Sequence, residues 1–355
     1  MKIDKLRLRR IDDLLQNEID QGRLPGYALA IGLGDEVIYK SSYGHAENMD
    51  GMIRPMTIDT IFDLASLTKV VATLPSMLML IDRGQIRLHD PVAKFIPAFA
   101  IKSKSGVTIQ HLLTHSSGLP SHREYFTYCH SREEIINMVN HEKLEIAPNK
   151  KVVYSDLGFI LLGEIVQIVT DTTLDDYARE QIFEPIGMKD TMYNPPEELW
   201  TRIAATEKFQ ITGVRVGVVH DENAYKMGGV SGHAGLFAPL EDLILYVQMW
   251  LQPKESVLSE AVKNVAMKCH TTHLSGRRGL GWSYRGDSYD HAGDLWPETT
   301  IGHTGFTGTS LTMDPNSKLW TVLLTNEVHY GREKRIMRDI RGRVHNLIGA
   351  ALVNI

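Results

Sequence analysis

Strand-like sequence patterns occur towards both ends of this chain of 355 residues, and helical patterns fill its middle. Apolar clusters on either side of Gly34-Asp35 predict a β-hairpin over about 27–44, and strand patterns return after about residue 200. Between about 69 and 192, apolar residues recur at three- and four-residue intervals, and most of the segments stop at glycine, as helices often do. This order predicts one antiparallel sheet built from both chain ends, with a helical insert between them.

The predicted fold class is therefore α+β, with the sheet flanked by an N-terminal helix and a last amphipathic helix. We expect residues 1–68 and 200–355 to form a discontinuous sheet domain, residues 69–199 to form an all-helical domain, and the active site to lie at their interface. A short strand, IFDLAS, leads into Ser66, and Pro75 should kink the helix that follows or shift its start. The later strand patterns are ITGVRVGVVH, GLGWSYRG and SLTMDPNSKLWTVLLTNE.

The net charge, the cysteine content and the apolar runs of the chain indicate which partners and which compartment to expect. The formal net charge is -5 and the pI is near 6.3, so nothing in the charge favours nucleic acid or an anionic membrane. The only cysteines, Cys129 and Cys269, are far apart and predict neither a disulfide framework nor a thiolate metal site. No secretory signal or apolar run of about 18 residues is evident, so we expect a cytoplasmic protein without a membrane span.

The start of the first apolar helix, LASLTKVVAT, places Ser66 three residues before Lys69. On a helix this spacing puts both side chains on one face, where an amine can reach a hydroxyl. A Ser-x-x-Lys pair is expected roughly once by chance in a chain of this composition, and this is the only one present, so its context must decide. A nucleophile with its base and a chance pair both fit the spacing alone.

Tyr154, in the stretch YSD, supplies one part of that context. A phenol close to an ammonium ionises more readily, because the positive charge favours the phenolate. Tyr154 is thus a candidate to take the proton of Ser66 or to relay it to a leaving group. The structural alternative is a tyrosine at an interface, preceding a helix whose N-cap is Ser155 or Asp156.

The stretch HTGFTGTS, residues 303–310, supplies another part. Its glycines allow a ligand to approach the backbone of a strand closely, although two nearby glycines also fit a simple bulge. The backbone N–H groups of Phe306 and Ser66 are candidates for an oxyanion hole, worth roughly 3 to 4 kcal/mol per donor.

Two histidine-containing stretches are weaker candidates for chemistry. His111 and His115 share a helix face, but no HExxH pattern or third ligand accompanies them, which favours structural roles. A metal site from His220, Asp221 and His233 is conceivable, but a hydrogen-bonded loop near the sheet edge is favoured. We therefore predict no metal and no cofactor. The charged run REKRIMRDIRGR is interpreted as a solvated helix face.

The motifs together resemble the penicillin-recognising serine hydrolases, the superfamily of serine β-lactamases and D-alanyl-D-alanine peptidases. The chain is most similar to the branch with class C β-lactamases and the related family VIII carboxylesterases. The resemblance runs from LPGYALAIG through DTIFDLASLTK, LLTHSSGLP and YSDLGFILLGEIV to HTGFTGTS. It implies a β-lactamase/transpeptidase-like fold, Ser66 as the acylated nucleophile, Lys69 as its activating partner and Tyr154 as the second proton-transfer residue.

The same resemblance implies that Asp156 and the third motif, His303-Thr304-Gly305, bind substrate. Two of these positions depart from the pattern of the family. Asp156 stands where the tyrosine motif usually ends in Asn, and a carboxylate there favours a charged Lys69, against lysine as the base. His303 stands where many β-lactamases have Lys, and an imidazole holds a substrate carboxylate less firmly than an ammonium. Efficient β-lactam hydrolysis is therefore disfavoured.

The leading hypothesis is a serine hydrolase that forms an acyl-enzyme with an ester or amide, from a small molecule or a short peptide. The alternative on the same fold is a penicillin-binding-type protein that acylates or binds without turnover. A metal-dependent hydrolase using His220 and His233 is a third possibility. An α/β-hydrolase is disfavoured because the chain has no Gly-x-Ser-x-Gly. The sequence leaves open the acyl donor, the oligomeric state, and whether Lys69 or Tyr154 is the base.

Overall fold

A computed structural model of the chain describes residues 2–101, 103–210, 213–252 and 257–353. The helices are α1 Lys5–Asp20, α2 Leu74–Asp82, α3 Ile109–Leu113, α4 Arg132–His141, α5 Asp156–Thr170, α6 Leu174–Ala178, α7 Glu184–Ile186, α8 Glu222–Lys226, α9 Leu240–Leu251, α10 Glu260–Met267 and α11 Met337–Ala350. The strands are β1 Lys2–Ile3, β2 Gly26–Leu33, β3 Glu36–Met49, β4 Met52–Pro55, β5 Ile61–Asp63, β6 Met192–Tyr193, β7 Lys208–Phe209, β8 Gly213–Val214, β9 Leu236–Pro239, β10 Ser283–Tyr284, β11 Ile301–Thr304, β12 Ser310–Met313, β13 Leu319–Thr325 and β14 Leu352–Val353.

The main sheet has seven strands in the order β10-β11-β12-β13-β2-β3-β4, and every neighbouring pair is antiparallel. It therefore joins strands from both chain ends, as predicted. The central strand β2 is buried on both faces because its side chains alternate between two cores. Leu29 and Ile31 pack with the terminal helices α1 and α11, whereas Ala28 and Ala30 belong to a larger core shared with the helical middle of the chain.

The sequence patterns of the hairpin and of the two terminal helices are confirmed. The hairpin turns between β2 and β3, and α1 begins after its N-cap Asp4, whose carboxylate accepts from the backbone N–H of Leu6. Apolar residues of α1 such as Leu8 and Ile11 pack with Val344 and other residues of α11. The helical segments predicted between 69 and 192 are also present, so the predicted α+β class holds.

The region after residue 200 differs from the strand prediction. Only Gly213–Val214 is a strand within ITGVRVGVVH, whose first two residues, 211 and 212, lie outside the described residues. The rest of that stretch forms a loop, across which the Arg215 guanidinium donates to the backbone carbonyls of Val219 and His220. The helices α9 and α10 lie in this region and were not predicted.

The strand before Ser66 is also placed differently. It forms β5, which belongs to a separate three-stranded sheet, β5-β9-β6, and not to the main sheet. After Ser66, a π-helical turn at Lys69–Thr73 precedes α2, so Pro75 lies in the first turn of α2 and shifts its start as expected. The division into domains at residues 68 and 200 stays a prediction.

One described helical stretch, Ala65–Asp82, is long and apolar enough to cross a membrane, and 83% of it is buried inside the protein. A second stretch qualifies only if Asp156–Thr170 and Leu174–Ile186 are taken as one span, although they meet at a bend of 79°. Buried core helices pass the same test of length and composition, so these stretches are weak evidence for a span.

Candidate active site

The turn that carries Ser66 is held by a buried carboxylate. Asp63, the last residue of β5, accepts hydrogen bonds from the backbone N–H of Ala65 at 2.8 Å and of His220 at 2.6 Å. Its backbone carbonyl accepts from Thr307 Oγ1 at 2.7 Å. Ala65 adopts a left-handed φ of 45°, a conformation that costs roughly 1 kcal/mol or more for a residue with a side chain. These contacts hold Ser66 in a strained turn; Asp63 was not predicted from the sequence.

Lys69 lies at the centre of the site. Its Nζ is 2.9 Å from Ser66 Oγ, 3.0 Å from the backbone carbonyl oxygen of His233 and 2.7 Å from Asp156 Oδ1. The side chain of Lys69 is fully buried, and the second carboxylate oxygen of Asp156 is 3.0 Å from His122 Nδ1. The structure thus brings Ser66 and Lys69 together as their spacing predicts, and adds Asp156 to the pair.

Lys69 and Asp156 each stabilise the charged form of the other. Burial disfavours the ammonium, but Asp156 and Tyr154 outweigh it and raise the pKa of Lys69 above its ordinary value. Burial likewise disfavours the carboxylate, but Lys69 and His122 outweigh it and lower the pKa of Asp156. The resting site therefore holds an ammonium and a carboxylate in contact.

Tyr154 precedes α5, whose N-cap is Ser155. The ring centroid of Tyr154 is 5.0 Å from Lys69 Nζ. Burial raises the pKa of Tyr154, although the charge of Lys69 and hydrogen bonding to Lys69 and Ser66 act in the opposite direction. Tyr154 is thus a neutral phenol in the resting site, beside both Ser66 and Lys69. The sequence offered an interface tyrosine before a helix and a proton-transfer residue as alternatives; the helix is present with Ser155 as its N-cap, and the proton-transfer role stays a prediction.

His115 supports Tyr154 from the turn after α3. Its ring centroid is 4.6 Å from that of Tyr154, and its Nδ1 accepts the backbone N–H of Ser155 at 3.0 Å. Burial lowers the pKa of His115 well below its ordinary value, so the imidazole is neutral. The structural role predicted for this histidine therefore includes contact with the candidate site. His111 instead completes the N-terminal cap of α3 with Thr108.

The end of β11 forms one wall of the site. His303 is buried, its Nδ1 lies 2.9 Å from the backbone carbonyl oxygen of Thr304, and its Nε2 has no partner among the described residues. Burial lowers the pKa of His303 to about 3, so the imidazole is neutral. A Cβ at Gly305 would stand 2.2 Å from Thr309 Oγ1 and 2.4 Å from the carbonyl oxygen of Leu64. Glycine is therefore required where this strand approaches the Ser66 turn.

Phe306 follows Gly305 at the mouth of the site. Its backbone N–H donates to no described residue, as an oxyanion donor requires, but the oxyanion hole itself stays a prediction. The Phe306 ring is 40% exposed and has neighbours with planar groups: the His220 ring at 5.7 Å and the Arg335 guanidinium at 4.0 Å.

These residues open onto a cavity of about 710 Å³. It is lined by Ser66, Tyr154, Arg278, Ser283, Ser288, Tyr289, Asp290, His291, His303, Thr304, Gly305, Phe306, Arg335, Arg338 and Arg341. Of the four arginines, Arg278 pairs with Asp287 and Arg335 with Glu327. Arg338 and Arg341 then face Asp290, and this excess of positive charge attracts anions.

Sequence reasoning missed these arginines. Arg341 is only 3% exposed, donates from Nη2 to the carbonyl oxygen of Thr309, and has no carboxylate partner within the described part of the chain. The interpretation of REKRIMRDIRGR as a solvated face is therefore wrong for its cavity side. The three-residue spacing of Arg338 and Arg341 was a usable signal, because it places both on one side of α11, whereas Arg335 precedes that helix.

The loop with His220 and His233 shows no arrangement for a metal. His220 Nε2 is 3.0 Å from Glu207 Oε2, whereas His233 Nε2 is 2.9 Å from Asp221 Oδ1. No group of three or more His, Cys, Asp or Glu side chains suited to a metal occurs in the described ranges. The hydrogen-bonded loop favoured from the sequence matches these contacts, and the backbone of His233 reaches the site through Lys69.

Comparisons with known proteins agree on one family. The Beta-lactamase family matches residues 11–345. A protein of Escherichia coli (strain K12) named "Putative D-alanyl-D-alanine carboxypeptidase" is 34% identical over 364 residues, covering 91% of this chain and 83% of that protein. A protein of the same name from Salmonella typhimurium is 33% identical, covering 92% and 84%.

Solved structures share the fold. EstCE1, described as a hydrolase with promiscuous acyltransferase activity, has a TM-score of 0.75 and 22% identity, covering 96% of this chain and 99% of its own. A penicillin-binding protein homologue from Caulobacter crescentus has a TM-score of 0.76 and 20% identity, covering 99% of both chains. None of these matches favours binding without turnover over hydrolysis. The chain belongs to the Beta-lactamase family and is a serine hydrolase of that family.

Proposed function

We propose that Ser66 is the acylated nucleophile of a hydrolase that removes a C-terminal residue from a short peptide. The observation that carries the proposal is the contact of Ser66 with Lys69 and Tyr154 at the edge of an arginine-lined cavity. In acylation, Tyr154 takes the proton of Ser66 while Oγ bonds to the carbonyl carbon, and the backbone N–H groups of Ser66 and Phe306 stabilise the oxyanion.

In the second half of acylation, the carbon–nitrogen bond breaks and Tyr154 returns the proton to the leaving amine. A water molecule then attacks the acyl-enzyme, loses a proton to Tyr154, and releases the acid as Ser66 regains its hydrogen. The chemistry needs no co-reactant besides water.

The choice of Tyr154 as the base follows from Asp156. Lys69 and Tyr154 are close enough to titrate as a pair, and one proton must leave that pair before Ser66 can be deprotonated. Asp156 holds the remaining proton on Lys69, because its carboxylate is 2.7 Å from the ammonium. The reactive form is then ammonium with phenolate, in which Lys69 stabilises the base and Tyr154 is the base.

The arginines of the cavity support a substrate with a carboxylate in its leaving group. Arg278 is paired with Asp287, whereas Arg338 and Arg341 have no ion pair among the described residues. A guanidinium recognises a carboxylate in a fixed geometry. The names of the curated relatives point the same way, so the proposed substrate is a peptide ending in D-alanyl-D-alanine. Neutral His303, with Thr304 and Gly305, would contact the substrate beside Ser66.

The test is a comparison of four substrates: a D-alanyl-D-alanine peptide, the same peptide with a C-terminal amide, a short-chain nitrophenyl ester, and nitrocefin. We expect the free acid to be hydrolysed fastest and the Ser66→Ala variant to be inactive. Equal rates for acid and amide would refute the carboxylate assignment. A stable adduct without turnover would establish the penicillin-binding-type alternative.

We also propose that the protein acts in the cytoplasm and that its helical and sheet domains meet at this site. Cys129 and Cys269 are both free thiols, as is usual in a reducing compartment, and cell fractionation with tagged protein would test the location. The position of Ser66 and Lys69 at the predicted boundary, with Tyr154 on the helical side and His303 on the sheet side, supports the division.

A further inference from the structure

The ring of Tyr289 stacks on the ring of Tyr154. The two centroids are 5.0 Å apart and the planes differ by 29°. Both residues line the cavity, and Tyr289 is 47% exposed, whereas Tyr154 carries the buried hydroxyl beside Ser66. Tyr289 therefore lies between part of the Tyr154 ring and solvent.

A buried ion pair fixes the position of Tyr289. Asp287 Oδ1 accepts the Tyr289 backbone N–H at 2.9 Å and contacts Arg278 Nη2 at 2.8 Å. Both side chains of this pair are almost completely buried, and the Arg278 guanidinium also lies 5.0 Å from the Tyr289 ring centroid. The Tyr289 hydroxyl bonds to none of the described residues, and the contacts of this side chain with Tyr154 and Arg278 are made by its ring.

We propose that Tyr289 is a positioning residue for the reaction, whose ring shields Tyr154 from water and holds its phenol against Ser66. This inference rests on the proposed role of Tyr154. An aromatic pair at this distance contributes orientation as well as apolar contact. Excluding water disfavours the phenolate and keeps it strongly basic once it forms.

Several groups besides Tyr289 act on the same hydroxyl. The charged and titratable side chains that face Tyr154 from the elements around it are Lys69, His115, Asp156, Arg278 and His303. Both histidines are neutral, because burial lowers their pKa values, so only Lys69, Asp156 and Arg278 carry charge here. Arg278 also contacts the Tyr289 ring, but its ion pair with Asp287 holds its charge in place when Tyr289 is replaced, so a shift in titration reports the shielding.

The experiment compares Tyr289→Ala, Tyr289→Leu and Tyr289→Phe. The Ala variant should move the midpoint of the pH profile of kcat/KM down by about half a unit or more, because water then reaches Tyr154. Its kcat should fall about tenfold at the plateau, because the phenol is held less firmly. The midpoint and kcat of the Leu variant should lie between those of the Ala variant and the wild type. Both values for the Phe variant should match the wild type. Tyr128→Ala is the matched control, since Tyr128 is also exposed and also packs on another tyrosine.

A second readout does not depend on hydrolysis. Tyrosines labelled with 13C at Cζ report their own ionisation, and Tyr154→Phe identifies the signal of Tyr154. The midpoint of that signal should fall in Tyr289→Ala and stay unchanged in Tyr289→Phe. Coincident midpoints in the two variants would overturn the inference. Full activity in Ser66→Ala would overturn the proposed function instead, and would leave this titration as a separate test of shielding.

Discussion

Replacing Asp156 by Asn should shift the pH profile of acylation to lower pH. The substitution keeps the size of the side chain and removes the charge beside Lys69. Without the carboxylate, the pair of Lys69 and Tyr154 holds two protons less firmly, and the first leaves at lower pH. The direction follows from the sign of the interaction, because Asp156 raises the pKa of Lys69.

The magnitude follows from the distance. Two unit charges 2.7 Å apart attract by about 6 kcal/mol at an effective dielectric constant of about 20. One pKa unit is about 1.4 kcal/mol, so this attraction sets an upper limit of roughly four units on the shift. His122 also contacts Asp156 and offsets part of its charge when protonated. We therefore expect the midpoint to move down by at least about one unit.

The assay is the rate of acylation against pH for the wild type, Asp156→Asn and a matched control, Glu164→Gln. Glu164 is also a carboxylate of α5, but it pairs with Arg132 and does not contact the site. The control should keep the midpoint of the wild type. An unchanged midpoint in Asp156→Asn, or an upward shift, would refute the assignment of the proton to Lys69.

Three further predictions test other parts of the structure. Arg341→Met should lower kcat/KM for a peptide with a free C-terminal carboxylate by about tenfold or more, because a charge-assisted hydrogen bond contributes roughly 1.5 to 3 kcal/mol. The kcat/KM for the same peptide with a C-terminal amide, the control, should be unchanged. Gly305→Ala should abolish activity, because its Cβ would stand 2.2 Å from Thr309 Oγ1. An activity assay measures the loss, and circular dichroism shows whether the variant is still folded. Burial lowers the pKa of His345 to about 4, below its unfolded value of about 6.5. As the pH falls, the unfolded chain therefore protonates His345 before the folded chain does. The contribution of His345 to the free energy of unfolding is complete above pH 6.5 and should fall by about 3 kcal/mol as the pH drops towards 4. Urea titrations at several pH values, compared with His345→Gln, would measure this loss.

Local sequence patterns predicted the parts of the fold that depend on near neighbours. The hairpin of β2 and β3, the terminal helices and the contact of Ser66 with Lys69 all follow from spacings of a few residues. The pairing of β5 with β9 did not follow, because strands distant in sequence choose partners through tertiary packing.

The same distinction holds within the site. The chemistry of a phenol near an ammonium made Tyr154 a candidate, but only the resemblance to a family placed Tyr154 and His303 in one site, since nothing local to either position shows that they meet. Arg278 and Tyr289 were missed because the ion pair with Asp287 places them, and that pair is visible only in the folded chain. Arg341 carried a readable helical spacing, but the burial of its face depends on the packing of α11 against the sheet.

The central claim is that the Ser66 hydroxyl forms a covalent acyl intermediate. Intact-protein mass spectrometry during turnover of a slow substrate, followed by peptide mapping, measures this directly. We predict a mass increase equal to the acyl group, located on the peptide that contains Ser66, which disappears when substrate is exhausted. An adduct on another residue, or turnover at the wild-type rate by Ser66→Ala, would contradict the claim.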